Sequence, residues 1–286
     1  MSMLRTVAVH EAVQRRDVET ERGRFAVWSC QPQDSALPHG HVMLVPGFTG
    51  SKEDFGVLLP LLAAAGWSVV TYDQRGQFET PAAATDDLTL DGWAADLVSL
   101  CSTVLGESEQ VHLVGHSFGG LVARTAALAA PDAWASLTLL CSGPGAFAAT
   151  ERDELLAAAE AVMRDGLETT YLAKRDRDRR RGAPEPTPEV EQFLHKRFLS
   201  NSPEALSSMS RILAGAPDHT EDLAALDVPV AVVRGAHDDA WPHHVQDEMA
   251  ARLDTTVVVI PDAAHSPAVE APEQTRDTLV RVFMGH

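Results

Sequence analysis

Ser117 stands in the pentapeptide Gly115-His116-Ser117-Phe118-Gly119, where an apolar, β-rich run (Val111-His112-Leu113-Val114) meets helix-forming sequence (Leu121-Val122-Ala123-Arg124-Thr125-Ala126-Ala127-Leu128). A Gly-x-Ser-x-Gly pattern placed between a strand and a helix predicts a nucleophile elbow, a sharp turn that holds a serine hydroxyl clear of its surroundings. Gly115 and Gly119 fit that turn because a Cβ at either point would collide across it. A helix starting near Phe118 would aim its free N–H groups and positive dipole end at the serine, where negative charge develops during acyl transfer. The chemistry this predicts is nucleophilic attack on a carbonyl.

A serine hydroxyl is a poor nucleophile at neutral pH and needs a base, usually an imidazole oriented by a carboxylate. Of the 12 histidines, His265 has the most suitable position, in the loop Pro261-Asp262-Ala263-Ala264-His265-Ser266-Pro267 after the last predicted strand. His116 lies inside the elbow, with its side chain expected to point away from that of the serine, and His243 and His244 open a helix and are expected to face solvent. The segment Arg234-Gly235-Ala236-His237-Asp238-Asp239-Ala240-Trp241-Pro242 offers two acids, one for the imidazole and one to complement the following helix. Spacing alone does not choose between Asp238 and Asp239. Asp73, a third acid after a strand, precedes the serine and is read as structural. The developing oxyanion needs two backbone donors. These are expected to be the N–H groups of Phe118 and of Phe48, the latter in the loop Pro46-Gly47-Phe48-Thr49-Gly50-Ser51. That loop is not a phosphate cradle, since Gly50-Ser51-Lys52 has serine and lysine in the wrong order for a P-loop.

Strands are predicted at 24–29, 41–45, 68–72, 111–115, 137–141, 230–234 and 256–260, and helices near 54–65, 90–104, 118–130, 245–253 and 273–283. Apolar strands alternating with helices predict a mostly parallel, doubly wound α/β sheet covered on both faces. The alternation breaks from about Phe147 to Ala225, which contains only helix-forming sequence and the loop Gly182-Ala183-Pro184-Glu185-Pro186-Thr187-Pro188. The expected organisation is therefore a core over 1–146, an all-helical lid over 147–225 and the rest of the core over 226–286. Thr150 with Asp153 resembles a capping box at the start of the lid. Within the lid, Lys174-Arg175-Asp176-Arg177-Asp178-Arg179-Arg180-Arg181 has acids three and four residues from bases, such as Asp176 and Arg180, and reads as a solvated helix face.

The chain has 286 residues, 45% of them hydrophobic and 22% charged, which is ordinary for a globular protein. Its formal net charge of -18 argues against nonspecific nucleic-acid binding and against attraction to anionic membranes, and says little about the small-molecule substrate expected here. No signal-peptide-like apolar stretch opens the sequence and no run is long enough to span a bilayer. Cys30, Cys101 and Cys141 are too few and too far apart for a disulfide framework or a zinc site. A cytoplasmic protein without metal or cofactor is expected.

Four motifs in order resemble the α/β-hydrolase superfamily, in particular its lid-bearing esterase and lipase-like members. They are the 46–51 loop, Asp73-Gln74-Arg75-Gly76, the elbow through Gly120, and Gly235-Ala236-His237-Asp238 followed by Ala264-His265-Ser266-Pro267. The family's Gly-x-x-Asp with a proline four residues later falls on Gly235, Asp238 and Pro242, so the resemblance implies Asp238 as the acid and Ser117, Asp238 and His265 as the triad. It also implies an α/β-hydrolase fold and a carboxylesterase-like serine hydrolase working through an acyl-enzyme. Three positions depart from the family pattern. Pro46 stands where many relatives have histidine, Gln77-Phe78-Glu79-Thr80 replaces a Gly-containing continuation, and Ala264 replaces a glycine. Other chemistries on the same scaffold are a carbon–carbon bond hydrolase, lyase, lactonase or cofactor-free perhydrolase. For these, Thr49, Arg124 and the lid arginines would serve an anionic substrate. A ligand receptor on the same fold is a third reading. Fold resemblance does not choose the substrate.

Overall fold

The computed structural model describes residues 4–33, 39–106, 110–147, 149–180 and 182–285. Eight strands form one sheet: β1 Gln14–Thr20, β2 Gly23–Cys30, β3 His41–Val45, β4 Ser68–Tyr72, β5 Val111–His116, β6 Trp134–Leu140, β7 Val230–Gly235 and β8 Val258–Ile260. Their order is β1-β2-β4-β3-β5-β6-β7-β8. β1 and β2 run antiparallel to their neighbours, and β4 through β8 are parallel.

Alternation along each parallel strand sorts the core into two layers, because successive side chains point to opposite faces. Val42 and Leu44 of β3 pack with Leu58, Leu59 and Leu62 of α1 (Leu58–Ala64). On the same face lie Leu279 and Phe283 of the C-terminal helix (Pro272–Met284). Met43 and Val45 turn the other way, to Trp93 and Leu97 of α2 (Leu90–Leu105) and to Leu121 and Val122 of α3 (Phe118–Ala129). Val45, Gly115 and Leu139 lie in register, as do Leu140 with Val233 and Gly235 with Ile260. The parallel strands therefore end along one edge of the sheet, and the loops that leave it share one space.

Between β6 and β7 the described residues contain no strand. α4 (Ala149–Arg180) is interrupted at Gly166 (φ 81) and is followed by α5 (Pro188–Leu199), α6 (Pro203–Gly215) and α7 (Thr220–Ala224). The loop before α5 ends as its composition predicts, with Thr187 capping the Val190 N–H and Pro188 in the first turn. α8 (His243–Arg252) follows β7, and α9 (Pro267–Glu270) precedes the last helix, α10. None of the described helices is long and apolar enough to cross a membrane.

Several local expectations are corrected. β1 was not expected because its sequence is polar apart from Val18; it is an edge strand held by pairing with β2. The expected helix at 54–65 is a 3₁₀ turn, Lys52–Phe55, then α1, with Gly56 between them. β6 starts at Trp134 and stops before Cys141, whose φ of 50 leaves the strand. α4 begins at Ala149, so Thr150 is already inside it, and the expected cap side chain lies outside the described residues, as does Arg181.

The helices of the insert are tied to the core by buried charge. Arg197 of α5 is fully buried and donates to Asp54 Oδ1 at 2.7 Å and to Ser51 Oγ at 3.2 Å. Lys52 is also buried and reaches Asp73 at 2.8 Å and Glu79 at 2.6 Å. Burial alone would lower the lysine pKa, but Asp73, Glu53 and Glu79 outweigh it and raise it. Ser202, which caps α6, donates its N–H to Gly76 O at 2.8 Å. Arg197→Ala should cost about 3 kcal/mol in urea unfolding, because it leaves the Asp54 carboxylate buried without its cation; a loss below about 1 kcal/mol would show that this pair does not tie α5 to the core.

Candidate functional site

Ser117 sits between β5 and α3 with φ 55 and ψ -120, a conformation that side-chain-bearing residues adopt only under constraint. The constraint comes from both sides. Its N–H donates to Leu140 O on the adjacent strand at 2.9 Å, and α3 packs so tightly against β3 that a Cβ on Gly119 would stand 2.4 Å from Val45 O.

The structure brings Ser117, His265 and Asp238 together from three strand ends. His265 Nε2 lies 3.0 Å from Ser117 Oγ, and His265 Nδ1 lies 2.7 Å from Asp238 Oδ1. The carboxylate fixes the tautomer: Nδ1–H donates to Asp238, which leaves Nε2 to accept the serine proton. Asp238 is buried, whereas Asp239 is exposed. Oδ1 of Asp238 also accepts the Ala240 N–H, and Oδ2 accepts Gln246 Nε2 at 3.2 Å. Burial alone would raise the Asp238 carboxyl, but His265 and these donors outweigh it and hold it below the ordinary carboxylate range.

Phe118 is the first residue of α3, so the helix leaves its N–H unused and directed toward the turn. The 46–51 loop abuts the serine: a Cβ on Gly47 would lie 3.2 Å from Ser117 Cβ. Phe48, half-buried, touches two apolar groups, one with Phe147, Met209 and Trp241, the other with Val162, Tyr171, Phe198 and Leu206 from the insert. Phe147 stacks on Trp241 with ring centroids 4.1 Å apart.

Sequence reading missed two residues here. Gln246, on α8, supports Asp238, and nothing in its sequence context marks it. His116 does more than point away from the serine: its Nε2 donates to His265 O at 2.6 Å, and its ring lies 5.1 Å from that of His265. Burial, then the neighbouring His265, push His116 down to about 4, so it is neutral at pH 7 with its proton on Nε2. His243, expected to face solvent, is half-buried and donates from Nε2 to Asp238 O at 2.8 Å.

Of the arginines offered for an anionic substrate, Arg124, Arg175, Arg179 and Arg180 are committed elsewhere. Arg124 is buried and donates to the carbonyls of Pro144, before the helical insert, and of Pro217, between α6 and α7; burial pushes it down to about 10. Arg175, expected on a solvated helix face, is buried and meets Glu185 and Glu191 of the insert itself. Lys174 with Asp178 and Arg180 with Asp176 pair along the helix. Thr49 is buried in the loop with φ 58. Phe78 packs edge-on against Phe193 of α5 at 5.5 Å. Among the described residues, the group with metal-ligand spacing is Cys141, Asp238 and His265, with atoms within 4.8 Å of one another. Its carboxylate and imidazole already bond each other, and burial keeps the Cys141 thiol protonated.

The His116 shift has a definite sign in stability. The unfolded imidazole takes a proton below its ordinary 6.5 while the folded one resists until about 4, so folding stability is fully present above pH 6.5 and falls as pH drops through that window. The loss should be on the order of 3 kcal/mol in urea titrations, and His116→Gln should flatten it. Equal pH slopes for both proteins would contradict this account of His116.

The model of the alpha/beta hydrolase family matches residues 42–278. A relative named "Putative carbamate hydrolase RutD", from Variovorax paradoxus, is 37% identical over 122 residues, which is 42% of this chain and 45% of that protein. The pimeloyl-[acyl-carrier protein] methyl ester esterase of Neisseria meningitidis is 28% identical over 251 residues, 81% of this chain and 73% of the relative. Among solved structures, a thermophilic esterase from Thermogutta terrifontis superposes with a TM-score of 0.75 at 26% identity, over 95% of this chain and 98% of that one. With the family model matched across most of its length, this chain belongs to the alpha/beta hydrolase family.

Proposed function

We propose that the protein is a serine hydrolase that cleaves a small-molecule carboxylic ester through an acyl-enzyme, with Ser117 as nucleophile, His265 as base and Asp238 as the orienting acid. The observation that carries this reading is the hydrogen-bonded chain from Ser117 Oγ through both nitrogens of His265 to Asp238 Oδ1. Ser117 Oγ bonds to the substrate carbonyl carbon as its proton passes to His265 Nε2. The carbonyl electron pair moves onto oxygen, which the Phe48 and Phe118 N–H groups receive. As the oxyanion collapses, the bond to the alkoxy group breaks, and His265 returns the proton to the leaving alcohol. Water then repeats the sequence on the acyl-enzyme, releasing the acid and free Ser117. In this reading the helical insert, 147–225, serves as a lid that keeps bulk water from the acyl group.

An ester is favoured over the anionic substrates of lyase chemistry by the surroundings of Phe48, which are aromatic and aliphatic, and by the prior engagement of Arg124, Arg175 and Arg197. The names of the meningococcal and Thermogutta proteins, both esterases, support the same class.

A fluorophosphonate probe should label the wild type and leave Ser117→Ala unlabelled. No labelling of a well-folded wild type would remove the enzyme reading. On short acyl esters, Asp238→Asn should lose roughly 10,000-fold in kcat, while Asp239→Asn stays near wild type; the reverse order would move the acid to Asp239. A labelled enzyme inactive across a broad ester panel would exclude the esterase reading and leave the other chemistries of the fold.

A further inference from the structure

We infer that Gln77 and Ser142 are positioning residues for the oxyanion hole, each holding from behind the peptide group whose N–H is to meet the substrate oxygen. The inference rests on the serine acyl-transfer reading above. A peptide group is planar and trans, so its C=O and N–H point in opposite directions and turn as one body. The Phe48 N–H belongs to the same plane as the Gly47 carbonyl, and the Phe118 N–H to the same plane as the Ser117 carbonyl. Gln77 Nε2 donates to Gly47 O at 2.9 Å, and Ser142 Oγ donates to Ser117 O at 2.9 Å. Each carbonyl also accepts one backbone N–H across a tight turn: Gly50 N at 3.1 Å for Gly47, and Gly120 N at 2.9 Å for Ser117.

Both side chains are fully buried. They come from different strand ends, so each peptide is braced by an element other than its own. Gln77 lies in the loop after β4, its backbone tied into the turn by bonds to Gln74 and from Thr80. Its Nε2 also touches Met209 Sδ of α6 at 3.7 Å. Its neighbour Gln74 donates to Pro46 O at 2.9 Å and holds the preceding peptide. The brace matters most at the 47–48 peptide, because Gly47 on one side has no Cβ to restrict its rotation and the chain turns into the left-handed region at Thr49 (φ 58) just beyond Phe48. A flip there would aim an acceptor oxygen, not a donor, at the developing oxyanion. Pro46 has no N–H with which the loop can tie itself. Gln74 and Gln77, the second of which opens one of the departures from the family pattern, supply the bonds from outside. On the other side, Gln246 bridges Ser142 O at 3.3 Å and Asp238 Oδ2 at 3.2 Å, which links the second brace to the acid.

Preorganised donors favour the transition state over bound substrate, so loosening them should act on kcat. The test uses the full chain, with Gln77→Met, which keeps length and removes the donor, and Ser142→Ala. A trifluoromethyl ketone, which forms a tetrahedral oxyanion on the serine, provides the second readout. Each variant should lose about tenfold in kcat, a fraction of the hundred- to thousandfold that loss of a whole donor costs, with KM within about twofold. Inhibitor affinity should weaken by the same factor as kcat/KM. Variants that fold and keep wild-type kcat and inhibitor affinity would overturn the inference, as would a fall in kcat with unchanged inhibitor affinity. If Gln77→Met does not fold, Ser142→Ala, the loss of one buried oxygen, decides. A wild type that neither labels with fluorophosphonate nor cleaves esters would instead fail the parent reading.

Discussion

The backbone at Ser117 is held in a conformation it would not choose, and the surrounding structure exists in large part to hold it there. At φ 55 and ψ -120 the residue pivots the chain from the centre of the sheet into α3 within one step. β5 cannot relax, because β3 and β6 pair with it on both sides. α3 cannot withdraw, because its first turn lies against the ends of β3 and β5 at distances only glycine tolerates. Strain of this kind persists where packing over-determines it. Here it sets the hydroxyl at the strand edge toward which the loops carrying Asp238 and His265 converge.

Buried charge around that edge is arranged as closed pairs. Arg197 with Asp54, Lys52 with Asp73, and Arg175 with Glu191 each satisfy charge within the structure. Arg124 donates to the carbonyls of Pro144 and Pro217. Phe48, beside the serine, packs among aromatic and aliphatic side chains although the chain contains 64 charged residues (23 basic and 41 acidic). Of these pairs, Arg197 with Asp54 joins α5 of the insert to the segment after β3, next to the 46–51 loop.

Much of this was legible in the sequence. Continuously apolar runs separated by helix-forming segments located the parallel strands, and the parallel arrangement placed the loop residues Ser117, Asp238 and His265 at one edge. The resemblance to the family's Gly-x-x-Asp and following proline, at Gly235, Asp238 and Pro242, pointed to Asp238, which is buried, over Asp239, which is exposed. What escaped reading depended on contacts between distant segments. β1 is polar and exists through pairing. Arg124 and Arg175 look like helix-face residues until the carbonyls and carboxylates they meet are brought near by folding. His116 and Gln246 bond to His265 and Asp238 across 149 and 8 positions, and no local pattern encodes either contact. Gln77 was noted only as a departure from a family motif; its bond to Gly47 gives that departure a physical content.

The account turns on whether Ser117 carries an acyl group during turnover. Acid quenching of the enzyme during hydrolysis of a slowly released ester, followed by peptide mass analysis, measures this directly. The account predicts one acyl increment on the peptide containing Ser117, absent in Ser117→Ala together with turnover. An acyl group found on another residue, or ester hydrolysis that persists undiminished in Ser117→Ala, would contradict it.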